Sequence, residues 1–284
     1  RQSAEAPVLQ EARGEKLLAA TGGELTAMIA RARAFLRAAG LRKGDRCGLL
    51  APNSIQWAAL DLAIIAEGGI VVPLYSRQAA SELVGMMQDC SPVLLLCADA
   101  TLRDSILKEW PEAPRTALSE EIFGGQAPST NLDQPPVALA DSDTVAIIYT
   151  SGTSGEPKGV MLTHINLVQN VLNTLATFHF QSEPVYIHAA PMFHIADGAM
   201  TCISTSIGAK QVFMPRFDPA EFFRLVAAER VTDALLVPTM VNFVVNHPDI
   251  GKFDLSSLKQ VIYGASPMPE AVIRKAMEVM PAAG

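Results

Sequence analysis

The chain has 284 residues, with 22 Lys and Arg against 29 Asp and Glu, a formal net charge of −7. Apolar residues make up 49% and charged residues 18%, which excludes a disordered chain and supplies ample apolar surface for a packed core. The acidic total argues against a general nucleic-acid binder, which needs a basic face. It leaves an anionic small-molecule ligand open, because a nest of backbone N–H groups acts independently of net charge.

In chain order, Leu25, Met28, Ile29, Ala32, Phe35, Leu36 and Ala39 follow the spacing of a helix with one apolar face. Gly40 suits its C-terminal cap and Lys43-Gly44-Asp45 a turn. Cys47 to Ala51 is an apolar run fit for a buried strand. Pro52-Asn53-Ser54 then offers a helix start, Gln56 to Glu67 the helix, and Ile70 to Leu74 the next strand. That is a βαβ unit, and it predicts a parallel sheet.

Further strands are predicted at Val93 to Cys97, Thr144 to Tyr149, Val185 to Ala189, Lys210 to Met214, Asp233 to Val237 and Lys259 to Tyr263. Val168, Val171, Leu172 and Leu175 give one of the intervening helices a clear apolar face. Runs without polar alternation fit strands covered on both sides. Pro111 to Asp143, rich in Pro, Gly, Ser and acidic residues, reads as a connection with little core and as the best boundary. The expected division is residues 1–140 and 141–284, within a multilayer α/β fold.

Cys47, Cys90, Cys97 and Cys202 show no C-x-x-C pair, so buried reduced thiols are expected rather than disulfides or zinc. Arg1 to Gly14 is polar and has no signal-peptide core, and a cytoplasmic location is expected. Pro184 to Ala209 is the most membrane-like stretch. Its interruption by Pro191, His188, His194 and Gly198 favours a buried core or pocket over a spanning helix.

The densest chemical signal is Ile147-Ile-Tyr-Thr-Ser-Gly-Thr-Ser-Gly-Glu-Pro-Lys-Gly159, an apolar strand running into glycines, hydroxyls and one Lys. Gly152, Gly155 and Gly159 let successive N–H groups converge on an anion. Thr150, Ser151, Thr153 and Ser154 add hydroxyl donors, and Lys158 a mobile positive charge. Together they suit a polyphosphate. A Walker A loop, G-x-x-x-x-G-K-[ST], fails at two positions, where Pro157 and Gly159 stand. A plain polar turn is the remaining alternative.

Tyr149 to Gly159 resembles the phosphate loop of the adenylate-forming superfamily, which includes acyl-CoA synthetases, aryl-CoA ligases, luciferases and adenylation domains. The continuation Val160 to Leu167, then Pro191-Met-Phe-His-Ile-Ala-Asp-Gly198 and Tyr263-Gly-Ala-Ser-Pro-Met268, match in the same order. The resemblance implies the large N-terminal domain of such an enzyme, with two sheet-containing subdomains and the small C-terminal domain absent. It implies a two-step reaction: a carboxylate and ATP give an acyl-adenylate and pyrophosphate, and a thiol then displaces AMP. ATP, Mg²⁺ and coenzyme A are the implied cofactors, and a carboxylic acid the partner. The acceptor thiol, the metal ligands, a peripheral membrane contact and the oligomeric state stay open.

By the same resemblance, Lys158 and His194 are the catalytic candidates, with Thr150, Ser151, Gly152, Thr153, Ser154 and Gly155 on the phosphates. Tyr263, Gly264, Ala265 and Ser266 would lie near adenine. Met192, Phe193, Ala196, Val237, Thr239 and Met240, with His194 and Tyr263, would line the acyl pocket. Plant coumarate ligases often carry Tyr where Ala196 stands, so a roomier, more apolar site is expected here. A medium or long fatty acid leads as substrate, an aryl acid is second, and a non-catalytic nucleotide- or acyl-binding module is the alternative from another class. A chain of this extent is expected to be inactive alone.

Overall fold

The computed structural model describes residues 6–124, 134–150 and 157–283. The elements begin with β1 (Pro7–Arg13), β2 (Lys16–Thr21), α1 (Gly22–Ala38), β3 (Arg46–Leu50), α2 (Ile55–Ala66) and β4 (Ile70–Pro73). They continue with α3 (Ala80–Cys90), β5 (Leu94–Cys97), α4 (Ala100–Glu109), β6 (Arg115–Leu118), α5 (Ser119–Phe123), β7 (Thr144–Thr150), β8 (Lys158–Thr163) and α6 (His164–Thr177). The remainder is β9 (Val185–His188), α7 (Ile195–Ser206), β10 (Lys210–Phe213), α8 (Pro219–Glu229), β11 (Asp233–Leu236), α9 (Pro238–Val245), β12 (Gln260–Tyr263) and α10 (Glu270–Val279).

Residues 23–172 with 193–195 form one packed unit around a six-stranded sheet, ordered β6-β5-β3-β4-β7-β8. Neighbouring strands are parallel except for the β7–β8 pair. Every residue of β4 and β5 is buried, so both sheet faces are covered there, as expected of parallel strands joined by helices. The core gathers Leu83, Val84 and Met87 of α3, Leu95 of β5, Val72 of β4 and Ile147 of β7. Local signals set the helix ends. Ser54 caps α2 by accepting from the Trp57 N–H at 3.0 Å, and Asp99 caps α4 through Leu102 at 2.9 Å. Gly68 closes the α2–β4 turn at φ +72°, a backbone conformation that favours glycine.

Residues 1–22, 173–192 and 196–284 form the second unit, whose described part centres on a sheet ordered β12-β11-β9-β10-β1-β2. All its pairs are parallel except the β1–β2 hairpin. Phe222, Phe223, Leu225 and Val226 of α8 and Val241, Val244 and Val245 of α9 pack with Ile187, Val212, Ala234 and Leu236 of the sheet.

The packing does not follow the expected line at residue 140. Strands β7 and β8 lie beyond it yet complete the first sheet, and β1 and β2 precede it yet join the second. Nor is Pro111 to Asp143 a coreless connection. It contains β6 and α5, with Ala117 and Ile122 buried. Its described end is tied back by Arg33, which donates to the carbonyls of Gln134 (2.8 Å) and Pro135 (2.9 Å), and by the Val137 N–H to Ala66 (2.9 Å). Helix α6 forms as expected, but its apolar face is not covered: Val168 and Leu172 are half exposed. None of the four cysteines is in a disulfide, and Cys47, Cys90 and Cys97 are buried. No helix among the described residues is long and apolar enough to cross a membrane.

Candidate active site

In the first unit, β7 and β8 run antiparallel with Thr150 opposite Lys158 and Tyr149 opposite Gly159. The Thr150 hydroxyl donates to the Lys158 carbonyl at 3.5 Å. Both residues are exposed, at the end of the hairpin where β7 leads into β8. Ser151, Gly152, Thr153, Ser154 and Gly155 lie outside the described residues. The hairpin base is rigidly built. The Tyr149 hydroxyl donates to Asp89 on α3 at 2.5 Å, and burial together with this carboxylate raises its pKa, so the phenol stays protonated. A Cβ added at Gly159 would stand 2.8 Å from Ile147 Cγ2 and 3.3 Å from Tyr149 Cζ. Close approach of the two strands therefore requires glycine there.

The same unit holds Phe193 and His194. Phe193 stacks on Tyr75, with centroids 4.9 Å apart and planes at 25°. The His194 ring meets Phe193 edge-on at 6.0 Å and is exposed, so its nitrogens can reach a ligand.

In the second unit, the motif segments leave the carboxyl ends of neighbouring parallel strands. His188 ends β9 and leads to Pro191, Leu236 ends β11 and leads to Val237, and Tyr263 ends β12 opposite Leu236. Ligands of open α/β sheets bind at such carboxyl ends. Val237 is the N-cap of α9, Thr239 is exposed and Met240 half-buried in its first turn. Met192 is buried, whereas Ala196 in the first turn of α7 is exposed. Tyr263 is 46% exposed, and Gly264, Ala265 and Ser266 follow it at the surface. Ala265 adopts φ +69°, a strained region for a residue with a Cβ and a common mark of a ligand-contacting turn.

Beside Tyr263 lies a cavity of about 250 Å³ between α9, β12 and α10. Its walls include Val241, Val261, Met268, Ile273 and Ala276, with Tyr263 beside them, so it offers a largely aliphatic surface. Among the described residues, no three of His, Cys, Asp and Glu are grouped to hold a metal ion.

His188, named from the sequence only as an interruption of the apolar stretch from Pro184 to Ala209, is the centre of a buried network. Its Nδ1 lies 2.8 Å from Asp197 Oδ2 and its Nε2 lies 3.0 Å from Gln211 Oε1. The Tyr186 hydroxyl donates to Asp197 Oδ1 at 2.7 Å. These four side chains are 0–3% exposed. A signal was available, since Tyr186, His188 and Gln211 interrupt otherwise apolar predicted strands.

A family model described as AMP-binding enzyme matches residues 2–283. The chain is 30% identical over 258 residues to long-chain-fatty-acid–CoA ligase FadD13 of Mycobacterium tuberculosis, covering 89% of this chain and 51% of that protein. It is 34% identical to feruloyl-CoA synthase of an Amycolatopsis species, covering 88% and 50% respectively. Among solved structures, the N-terminal domain of FACL13 from M. tuberculosis superposes with a TM-score of 0.85 at 26% identity, over 96% of this chain and 69% of that one. ATP-bound MatB from Rhodopseudomonas palustris superposes at 0.84 and 26% identity, over 98% and 55%. The chain thus spans about half the length of the curated relatives it matches.

Proposed function

Because the chain belongs to the AMP-binding enzyme family, we propose that the natural protein containing it activates a carboxylic acid with ATP and transfers the acyl group to coenzyme A. In the first step a carboxylate oxygen attacks the α-phosphorus and pyrophosphate departs. In the second the thiol sulfur attacks the acyl carbon and AMP departs, the thiol proton passing to solvent. The observation that carries this reading is the set of segments leaving the carboxyl ends of the neighbouring parallel strands β9, β11 and β12, the last of which, through Tyr263 and Met268, lines an aliphatic cavity. The relatives named as acyl- and aryl-CoA ligases support it.

Lys158 is exposed opposite Thr150, so its ammonium is free to meet the charge that builds on departing pyrophosphate. Such a donor, already in place, lowers the barrier without reorganising at the moment of reaction. His194 is read as a donor to the reacting carboxylate, its ring braced by Phe193. Tyr263, Gly264, Ala265 and Ser266 are read as the adenine-side segment.

For the acid, we favour an alkyl chain. Val241, Val261, Ile273 and Ala276 present methyl and methylene groups to the cavity, and Ala196 adds no bulk where a Tyr could meet a phenol. FadD13, named for long-chain fatty acids, agrees with this choice. An aryl acid is the second reading, favoured by the names feruloyl-CoA synthase and 4-coumarate–CoA ligase among the relatives. The test is product analysis by mass spectrometry with decanoate, palmitate and ferulate, each supplied with ATP and coenzyme A. Preferential alkyl thioesters support the first reading, ferulate thioester alone supports the second, and no thioester with any acid rejects the proposal.

A further inference from the structure

Helix α7 meets its sheet through a polar seam. Asp197, Thr201 and Ser204 recur at helical spacing on the buried side of α7 and are 0–1% exposed. Asp197 receives Tyr186 and faces His188, both on β9. His188 in turn faces Gln211 on β10, and the Gln211 amide donates to the Thr205 hydroxyl in the last turn of α7 at 3.2 Å. The chain of contacts therefore leaves α7 at its first turn and returns to it at its last. The His188 ring is also fixed in plane, stacked on Phe213 at 4.7 Å with an interplanar angle of 4°.

Apolar side chains of similar volume would hold a helix to a sheet as well or better, since buried charged groups carry a desolvation cost. Directional bonds supply what apolar contacts do not, a fixed rotation and axial position. A slip of one residue along an α-helix turns it by about 100°, which would break every bond in this seam. Ala196 immediately precedes Asp197, so the orientation of one fixes that of the other.

We propose that Asp197 and His188 are positioning residues for acid recognition: with Tyr186 and Gln211 they lock the rotation of α7 and so set where Ala196 stands. This rests on the acyl-pocket reading given above. Removing the Asp197 carboxylate takes from the Tyr186 hydroxyl and the His188 ring their shared partner, and so loosens the hold on the first turn of α7. Asn keeps an acceptor for Tyr186 and can donate to a His188 nitrogen, so it should restore the seam.

The test uses the longest natural form of the protein and acid-dependent ATP–pyrophosphate exchange with decanoate and palmitate. Asp197→Ala should raise the KM for the acid by about ten- to a hundredfold, the scale of a one-ångström misplacement, and leave the KM for ATP unchanged. Asp197→Asn should restore the wild-type KM. Tyr186→Phe keeps the ring and loses one bond, so it should shift the acid KM in the same direction by less. It decides the matter with the Asn variant if Asp197→Ala does not fold.

Unchanged acid KM in the folded variants, or equal shifts for acid and ATP, would overturn the inference. Ala196→Phe separates the two claims. If it shifts the acid KM while the Asp197 and Tyr186 variants do not, the inference fails and the pocket reading stands. If Ala196→Phe also shifts nothing, the pocket reading itself fails.

Discussion

Arg33 and Glu67 form a buried ion pair, Nε to Oε1 at 2.7 Å, that joins α1 to the C-terminal end of α2. Arg37 approaches the same oxygen at 2.6 Å from a more exposed position. The other two nitrogens of Arg33 donate to the carbonyls of Gln134 and Pro135, so this one guanidinium links two helices and the chain that enters β7.

Glu67→Ala should be strongly destabilising, because it leaves the buried Arg33 charge uncompensated. Loss of one partner from a buried pair costs about 3–5 kcal/mol. Chemical denaturation of Glu67→Ala beside Arg37→Ala checks this. The Arg37 change should cost much less, since that side chain is 28% exposed and Glu67 keeps Arg33.

Asp61 on α2 gives a pH-dependent prediction. It is 8% exposed, and burial pushes its pKa up to about 7. The raised folded value means that the folded state holds a proton the unfolded chain has lost. Stability should therefore fall as pH rises from about 4 to about 7. Asp61→Asn should flatten that part of the profile and raise the Tm at pH 8 by roughly 5–10 °C. Thermal melts of both proteins from pH 5 to 8 test it, and parallel profiles would show that Asp61 is not the source.

Gly159→Ala should cost about 1–3 kcal/mol, the range for inserting a methyl into a packed site. The new Cβ would stand 2.8 Å from Ile147 Cγ2 and 3.3 Å from the Tyr149 ring, so the hairpin must part. Urea denaturation measures the cost. Adenylation should fall in the same variant, because Thr150 and Lys158 sit at the end of that hairpin.

The legible parts of this protein were those where local signals agree. Apart from Arg46 at the start of β3, the strands from β3 to β5 carry no charged or hydrogen-bonding side chain but thiols, and Ser54, Gly40 and Gly68 punctuate their connections, so the βαβ pattern emerges from residue order. The β1–β2 hairpin was missed because its clue is small. Arg13 pairs with Lys16 across Gly14-Glu15, with Gly14 at φ +62°, a two-residue turn that needs glycine first. The domain line was missed for a different reason. Which sheet a strand joins depends on long-range pairing, and nothing local to β1 points to β10. The motif segments carrying Lys158, His194 and Tyr263 could be placed from sequence order alone. The Asp197–His188 bond could not, because a lone polar residue in an apolar strand gives no sign of its partner.

Lys158→Ala should separate the two half-reactions. Loss of one charge-assisted contact is worth about 1.5–3 kcal/mol, or about ten- to a hundredfold. That loss should fall on adenylation, where pyrophosphate leaves. Thioester formation from chemically prepared acyl-adenylate should be spared, since the pyrophosphate has already gone. Equal losses in both assays would remove Lys158 from the phosphate site.

The most direct test of the central claim is ATP–pyrophosphate exchange by the longest natural form of the protein, with a carboxylic acid and without coenzyme A. Formation of an acyl-adenylate predicts that labelled pyrophosphate enters ATP only when the acid is present, with AMP appearing once the thiol is added. Exchange independent of any acid, or ADP as the nucleotide product, would contradict the account.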